Sequence, residues 1–391
     1  MSKSWPLMPL GKVLRQVRRE VKVDATTEYS LLGARWYSLG LYIKDRKMGN
    51  QIKASNLYRV EAGDFVYNRL FAWKGSFAIA SKLEHGCFVS NEFPCFEIDR
   101  SQLEPGFLQR YFNLEKSWNE SLGLSSGATP TSRNRMKEAK LLSIKIPLPP
   151  LAEQQWIVAR IEELSAKIKE ARGLRRQAVE EAEALCRSIV FGDSTAVPTP
   201  MYELVKQRGH DVQVKADQTY HFAGVYCFGR GVFRGQMKSG TDFAYKQLGQ
   251  LKVGNFVYPK LMAWEGAFGV VPTECDGLFV SPEFPIFEVI EERVLPEILD
   301  VYFRTPSVWP KVAGESTGTN VRRRRLNPKD FLAYKMPLPS MQTQLRLRQV
   351  MLKVNSLKQF QAETSAELDA MLPSILDKAF QGKLFDFLSE K

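Results

Sequence analysis

GDFVYNRLFAWKGSFAIASKLEHGCFVSNEFPCFEI, residues 63–98, returns as GNFVYPKLMAWEGAFGVVPTECDGLFVSPEFPIFEV at residues 254–289. The offset is 191 residues, no gap intervenes, and 18 of the 36 aligned positions are identical. Self-similarity at one fixed offset decides the architecture before any single motif does. The same offset pairs Pro9 with Pro200, Tyr29 with Tyr220, Gly33 with Gly224, Tyr111 with Tyr302, Trp118 with Trp309 and Gly127 with Gly318. One residue then drops out of the second copy, and IPLPPLAEQQ from Ile146 matches MPLPSMQTQL from Met336. The chain therefore reads as a globular head at 1–146, a helical stretch at 147–191, a second head at 192–336 and a second helical stretch at 337–391.

In DFVYNRL and NFVYPKL apolar residues alternate, as in a half-buried strand. CFVSNEFPCFEI and LFVSPEFPIFEV read as two strands each, broken at proline. FLQRYFNLEKSW places aromatics at helical spacing. The heads are α+β with a curved sheet whose strand order the sequence does not dictate. After the stiff PLPP, Ile157, Ile161, Leu164 and Ile168 begin a 4-3 alternation that resumes at Ala178, Ala182, Leu185 and Ile189. Leu347, Val350, Val354, Leu357, Leu368, Met371 and Ile375 repeat it, and such seams make coiled coils. Pro373 is expected to break or kink the second helix near its end. Two like copies packed about a pseudo-two-fold axis would run the helices antiparallel. Roughly 40 residues at 1.5 Å each then give a spacer of about 60 Å between two heads.

The length of 391 residues suits two or three domains. The net charge is +12 and the pI near 9.3, which favours a polyanionic partner. The first head carries most of it, 23 basic against 14 acidic side chains, where the second has 18 against 16. No run approaches the ~18 apolar residues of a membrane span, and the N-terminus lacks the apolar region of a secretion signal. Five cysteines without a C-x-x-C, and three histidines, point to a cytoplasmic protein with neither a disulfide framework nor a metal site. A phosphate-binding G-x-x-x-x-G-K-[ST] loop, H-E-x-x-H, G-x-S-x-G and the tetrapeptide of amino-methyltransferases are all missing. GRGVFRG at 229–235 lacks the spacing of a dinucleotide loop. Glu92 and Glu97 recur as Glu283 and Glu288, but no lysine stands beside either pair to manage a water nucleophile. They are read as structural, and Trp73 and Trp264 of the repeated A-W-x-G as core.

Two regions point to DNA. LSSGATPTSRNRMK from Leu124 corresponds to ESTGTNVRRRRLNPK from Glu315. Ser125, Ser126, Thr129, Arg133 and Arg135, and Thr317, Thr319, Arg322, Arg323, Arg324 and Arg325, offer the hydroxyls and guanidinium forks that hold phosphates. The second region is where the copies diverge: between 34–56 and 225–247 only 3 of 23 positions match. Heads that grip a duplex alike but read different bases should differ at the reader. Arg35, Tyr37, Lys44, Arg46 and Lys47, and Tyr226, Arg230, Arg234, Gln236 and Lys238, are the candidates, since Arg and Lys read guanine and Gln reads adenine in the major groove.

The plan of variable head plus helix, the junction IPLPPLAEQQWIVARIEELSAKI at 146–168 and the ending SILDKAFQGKL at 374–384 resemble the specificity subunits of type I restriction-modification systems. The resemblance implies a non-catalytic subunit with two target-recognition domains held apart by an antiparallel coiled coil. It implies double-stranded DNA with a bipartite, asymmetric site as ligand. It also implies two methyltransferase subunits and motor-nuclease subunits as partners, with S-adenosylmethionine, ATP and Mg²⁺ bound by those partners and no cofactor by this chain. Met341-Gln342-Thr343 departs from the Leu151-Ala152-Glu153 of the first junction. A self-contained nuclease or nicking enzyme, and a DNA-binding regulator, are the competing classes.

Overall fold

The computed structural model describes residues 5–127, 134–314 and 325–384. They fall into two units: one takes the chain up to Gly173 together with the segment from Thr364, the other spans Leu174–Glu363. Each unit thus holds one head together with helical segments that pack against it, so the helices share the hydrophobic cores of the heads.

In the first head a four-stranded antiparallel sheet has the order Leu14–Val17, Cys95–Ile98, Phe65–Tyr67, Phe77–Ile79. A five-stranded sheet has the order Glu20–Lys22, Asn56–Arg59, Phe88–Val89, Glu28–Ala34, Leu41–Met48, antiparallel except where Leu31 meets Phe88. A short pair, Leu7–Pro9 with Lys145–Pro147, brings the ends of the head together. The second head repeats all three sheets strand for strand. The turn ending at Pro94 carries the chain from the five-stranded sheet to the four-stranded one, which is why the proline interrupts the strand.

Successive side chains of a strand face opposite ways. Phe65 and Tyr67 enter an aromatic core with Phe77, Phe96, Phe107 and Phe112. Val66 enters a smaller core that joins the two sheets, with Leu32, Val60, Ala78 and Val89. All three residues are buried, so the strand is central, not half-buried as its alternation suggests. Its alternation sorts side chains between two cores. The second head divides Phe256 and Tyr258 from Val257 in the same way.

The helices of the first head are α1 Pro105–Phe112, α2 Glu115–Leu124 and α3 Glu138–Ser143, followed by α4 Leu151–Phe191. Their counterparts are α5 Pro296–Phe303, α6 Trp309–Ala313 and α7 Pro328–Ala333, followed by α8 Met341–Glu363 and α9 Ser365–Phe380. The glutamine shared by the two junctions explains their resemblance. Gln154 is fully buried; its amide donates to the carbonyls of Gln102 and Pro149 at 2.8 Å, and its oxygen accepts from the Glu104 N–H at 2.8 Å. Gln344 repeats this on the Pro339 and Arg293 carbonyls and the Leu295 N–H. Each glutamine latches the start of a long helix to the loop that opens α1 or α5.

In the first unit Ile157, Ile161 and Ile168 share the aromatic core with Ile375, Leu376, Ala379 and Phe380, and Arg172 pairs with Asp369 at 2.7 Å. In the second unit Cys186, Ile189 and Val190 meet Leu347, Val350 and Val354, while Lys358 pairs with Glu183 and Gln361 bonds the Arg175 carbonyl. Within each unit the numbering rises on one helix as it falls on the other, so the pairs are antiparallel. Pro373 does not break the helix: α9 runs through it, because Leu368, Leu372, Ile375 and Leu376 pack on one core. The interruption falls at Thr364, between α8 and α9.

Candidate nucleic-acid interface

The divergent segments form one element in each head, a hairpin whose second strand lies at the edge of the five-stranded sheet. In the first head Glu28–Ala34 pairs with Leu41–Met48, and in the second Thr219–Tyr226 pairs with Gly231–Ser239. Lys44 and Arg46 are exposed, and so are Arg234, Gln236 and Lys238. Lys47 is half-buried and pairs with Asp45 at 3.3 Å, so it is tied to a neighbour. Both hairpins slip register at the same place. Leu31 faces Asp45 but Leu32 faces Ile43, leaving Lys44 without an opposite number; in the second head the slip lies between His221 and Ala223. Such a bulge twists a strand and re-aims a side chain, and it blunts an edge that could pair with another chain.

The turns of the two hairpins have different sequences and the same backbone. Tyr37 and Ser38 have φ of 60° and 53°; Phe228 and Gly229 have 64° and 65°. Among the described residues Tyr37, Ser38 and Phe228 are the only non-glycine residues with positive φ, a conformation that costs of order 1–3 kcal/mol. Backbone bonds hold them there. Tyr37 N–H donates to the Lys74 carbonyl at 2.8 Å and Ser38 N–H to that of Gly75, as Phe228 and Gly229 do to Glu265 and Gly266. The Ser38 hydroxyl adds a bond to the Phe112 carbonyl at 2.7 Å. The platform beneath is the repeated A-W-x-G. A Cβ on Gly75 would stand 2.4 Å from Trp118, and one on Gly266 would stand 2.2 Å from Trp309, so only glycine fits. Trp73 and Trp264 themselves are half-buried and are not part of the core, Trp73 donating its indole N–H to the Leu70 carbonyl at 3.1 Å. The tryptophans that carry the turn are Trp118 and Trp309, a role flagged in the sequence only by their recurrence.

Cations cover the aromatic faces of both turns. Arg35 lies 5.3 Å from the Tyr42 ring and Lys74 3.8 Å from that of Trp36. Arg230 lies 4.5 Å from the Tyr226 ring, which stacks on Phe233 at 3.8 Å.

The third part is the hydroxyl- and arginine-rich segment that follows α2 or α6 in the sequence. Thr129, Arg133, Thr317, Thr319, Arg322, Arg323 and Arg324 lie outside the described residues. The first loop's ends are clamped, with Ser126 and Arg135 exchanging backbone bonds of 3.0 and 2.9 Å. Ser125 turns its hydroxyl inward to the Ser121 carbonyl at 2.6 Å, which removes its proton from the set available to phosphate. Arg135 and Arg325 are likewise engaged: Arg135 pairs with Glu92 at 2.5 Å and Arg325 with Glu283. The recurring carboxylates Glu92 and Glu283 thus anchor the loop's last arginine. Behind them Arg69 bridges the Asn91 carbonyl and Glu138. Burial works against the charge on Glu138, but its bond from Arg69 prevails and holds the carboxyl below its usual range. Glu97 serves a separate network, taking bonds from Arg15 and Arg19.

Among the described residues no group of His, Cys, Asp and Glu could hold a metal ion, and no helix is long and apolar enough to cross a membrane. Residues 39–180 match the model of the type I restriction modification DNA specificity domain, a stretch that opens in the first turn and closes within α4. Over that stretch the chain is similar to the type I restriction modification DNA specificity family. It is 21% identical over 312 residues to the type I restriction enzyme EcoKI specificity subunit of Escherichia coli strain K12, covering 71% of this chain and 65% of that relative's length. The fold is that of the HsdS subunit from Thermoanaerobacter tengcongensis, with 21% identity, 97% of both chains covered and a TM-score of 0.62. It also matches a chain from a study of complex assembly and conformational transition of the type I R-M system, with 20% identity, 97% and 98% covered and a TM-score of 0.65. The family match ends in α4, yet the second head carries every strand of the first.

Proposed function

We propose that this chain is the non-catalytic, DNA-reading subunit of a cytoplasmic type I restriction-modification complex. Its two heads recognise the two halves of a bipartite, asymmetric duplex site. The carrying observation is one hairpin scaffold, with the same bulge and the same strained turn, displaying unrelated side chains in the two heads. A scaffold kept while its exposed residues change suits readers of two different base sequences. Arg46 in one head and Arg234 and Gln236 in the other are the base-reading candidates, with Lys44 aimed by the bulge. The arginine-rich loops hold phosphates.

The antiparallel pairing within each unit supports a spacer that keeps the heads apart in a pseudo-two-fold arrangement. Leu345 and Leu352 expose 51% and 57% of their surface on α8, and Leu185 exposes 47% on α4. Exposed leucines on these helices suit contact with helices of two methyltransferase subunits, with motor-nuclease subunits completing the restriction assembly. S-adenosylmethionine, ATP and Mg²⁺ then belong to those partners. Co-expression with the methyltransferase subunit tests the reading: the complex should methylate one bipartite DNA sequence, and this chain alone should transfer no methyl group. Methyl transfer or strand cleavage by the isolated chain would overturn it.

A further inference from the structure

We infer that Tyr37 and Phe228 are base-stacking probes, one per head, that receive the face of a base laid open in locally unpaired DNA. This assignment rests on the DNA-reading role above and adds what part of the DNA the turns contact. The two residues are equivalent in the repeat, and with Ser38 they are the only described non-glycine residues forced into positive φ. A strained conformation persists only where its surroundings over-determine it, and such strain clusters at functional positions. Here the surroundings are the paired backbone bonds to the A-W-x-G loop.

The strain does not serve burial. Tyr37 and Phe228 remain 52% and 64% exposed, with their rings 5.2 Å from Trp118 and 6.4 Å from Trp309. Each aromatic is supported from behind and open in front. Neighbouring cations complete the pattern, Lys74 on Trp36 in one turn and Arg230 on Tyr226 in the other. Interleaved aromatics and cations grip unpaired bases, because every base offers a π face and its backbone a negative charge. Stacking is also indifferent to base identity, which fits an aromatic kept at this position, as at Tyr42 and Phe233, in a segment where only 3 of 23 positions match. An enzyme acting on a base inside a duplex must extrude it, and a preorganised aromatic at each half-site would stabilise the opened step.

Two probes test this on the full-length chain: a random-sequence duplex, and the same duplex with an unpaired thymidine bubble at its centre. The parent should prefer the bubbled duplex by roughly tenfold. Asparagine tolerates positive φ, so Tyr37→Asn with Phe228→Asn should fold with an undiminished melting temperature and bind the bubbled duplex no better than the intact one. Tyr37→Leu with Phe228→Leu, which keeps apolar bulk without a π face, should lose the preference too, and Tyr37→Phe with Phe228→Tyr should retain it. An absent preference in the parent, or one that survives both the Asn and the Leu pairs, overturns the assignment. So does an Asn pair that keeps the preference and fails only to co-purify with the methyltransferase subunit, which would make the turns protein contacts. A parent that binds neither probe would instead sink the DNA-reading role itself.

Discussion

The two edge hairpins and the two aromatic cores have opposite histories within one chain. Around the cores, half the positions of the repeat are identical; along the hairpins only 3 of 23 are. The hairpins nevertheless share strand pairing, the register slip and positive φ at the turn. The difference teaches that the backbone of the hairpin is held from below. The A-W-x-G glycine, the tryptophan on α2 or α6 and the carbonyls of the loop impose the trace, so the exposed side chains are free to change.

The largest effect should come from breaking what the copies share. Gln154→Leu removes the three hydrogen bonds of a fully buried side chain, leaving the Pro149 carbonyl and the part-buried Glu104 N–H and Gln102 carbonyl without that partner. Each stranded group costs about 1–3 kcal/mol, and the first unit should be weakened by roughly 3 kcal/mol or more, read by denaturant unfolding. Gln344→Leu should do the same to the second unit, slightly less because its bond to Arg293 is 3.3 Å long. If either variant unfolds at the parent's denaturant midpoint, the glutamine is not the latch.

Next in size is the arginine run. Replacing Arg322, Arg323, Arg324 and Arg325 with alanine should weaken binding to target and random DNA alike. The salt slope should fall by about 0.9 for each phosphate that the variant no longer neutralises. Since Arg325 is paired with Glu283, its share should be the smallest of the four. An unchanged slope with abolished specificity would make them base readers and move the reader away from the hairpins. Exchanging residues 34–56 for 225–247 should then shift the base preference of one half-site toward the other with little change in stability. A folded exchange that recognises the parent's site would sever the link between divergence and reading.

Much of this was legible because duplication writes the same physics twice. The doubled set of sheets, the helical junctions and the divergent hairpin segment all emerge from matching the chain against itself. The burial of Phe65–Tyr67 on both faces was not, since alternation alone cannot tell one core and solvent from two cores. Nor was the strain at Tyr37 and Phe228, where an aromatic gives no local cue for positive φ and the cause lies in a glycine and a tryptophan distant in sequence. Pro373 misled for a similar reason: propensity argues for a break, and the packed face of α9 outweighs it. The ion pairs on Arg135 and Arg325 join residues more than forty positions apart, beyond the reach of a motif.

The smallest expected effect concerns a point where the junctions differ. Asp193, after α4, accepts from the Ser340 N–H and hydroxyl at 3.0 Å and from Thr195. The first junction has Pro150 at the position of Ser340 and so offers no N–H for such a carboxylate. The bond from the Thr195 hydroxyl, with those from Thr343, the Thr195 N–H and Ser340, holds the Asp193 carboxyl well below its usual range. A depressed folded-state value means that the ionised form stabilises the fold. That contribution is complete above the unfolded aspartate value near 4 and is lost as pH falls below it. Asp193→Asn keeps an acceptor but cannot ionise, so at neutral pH it should loosen the second junction slightly. The gap between variant and parent should narrow steadily as pH falls below about 4. Hydrogen exchange of the segments around Thr195 and Ser340 reads this directly, with the first junction as internal reference. Asp193 is exposed, so solvent screens the interaction and the change should stay modest. A gap that persists at low pH would assign the effect to altered hydrogen-bond geometry and not to charge, and an equal response in both junctions would remove the asymmetry between them.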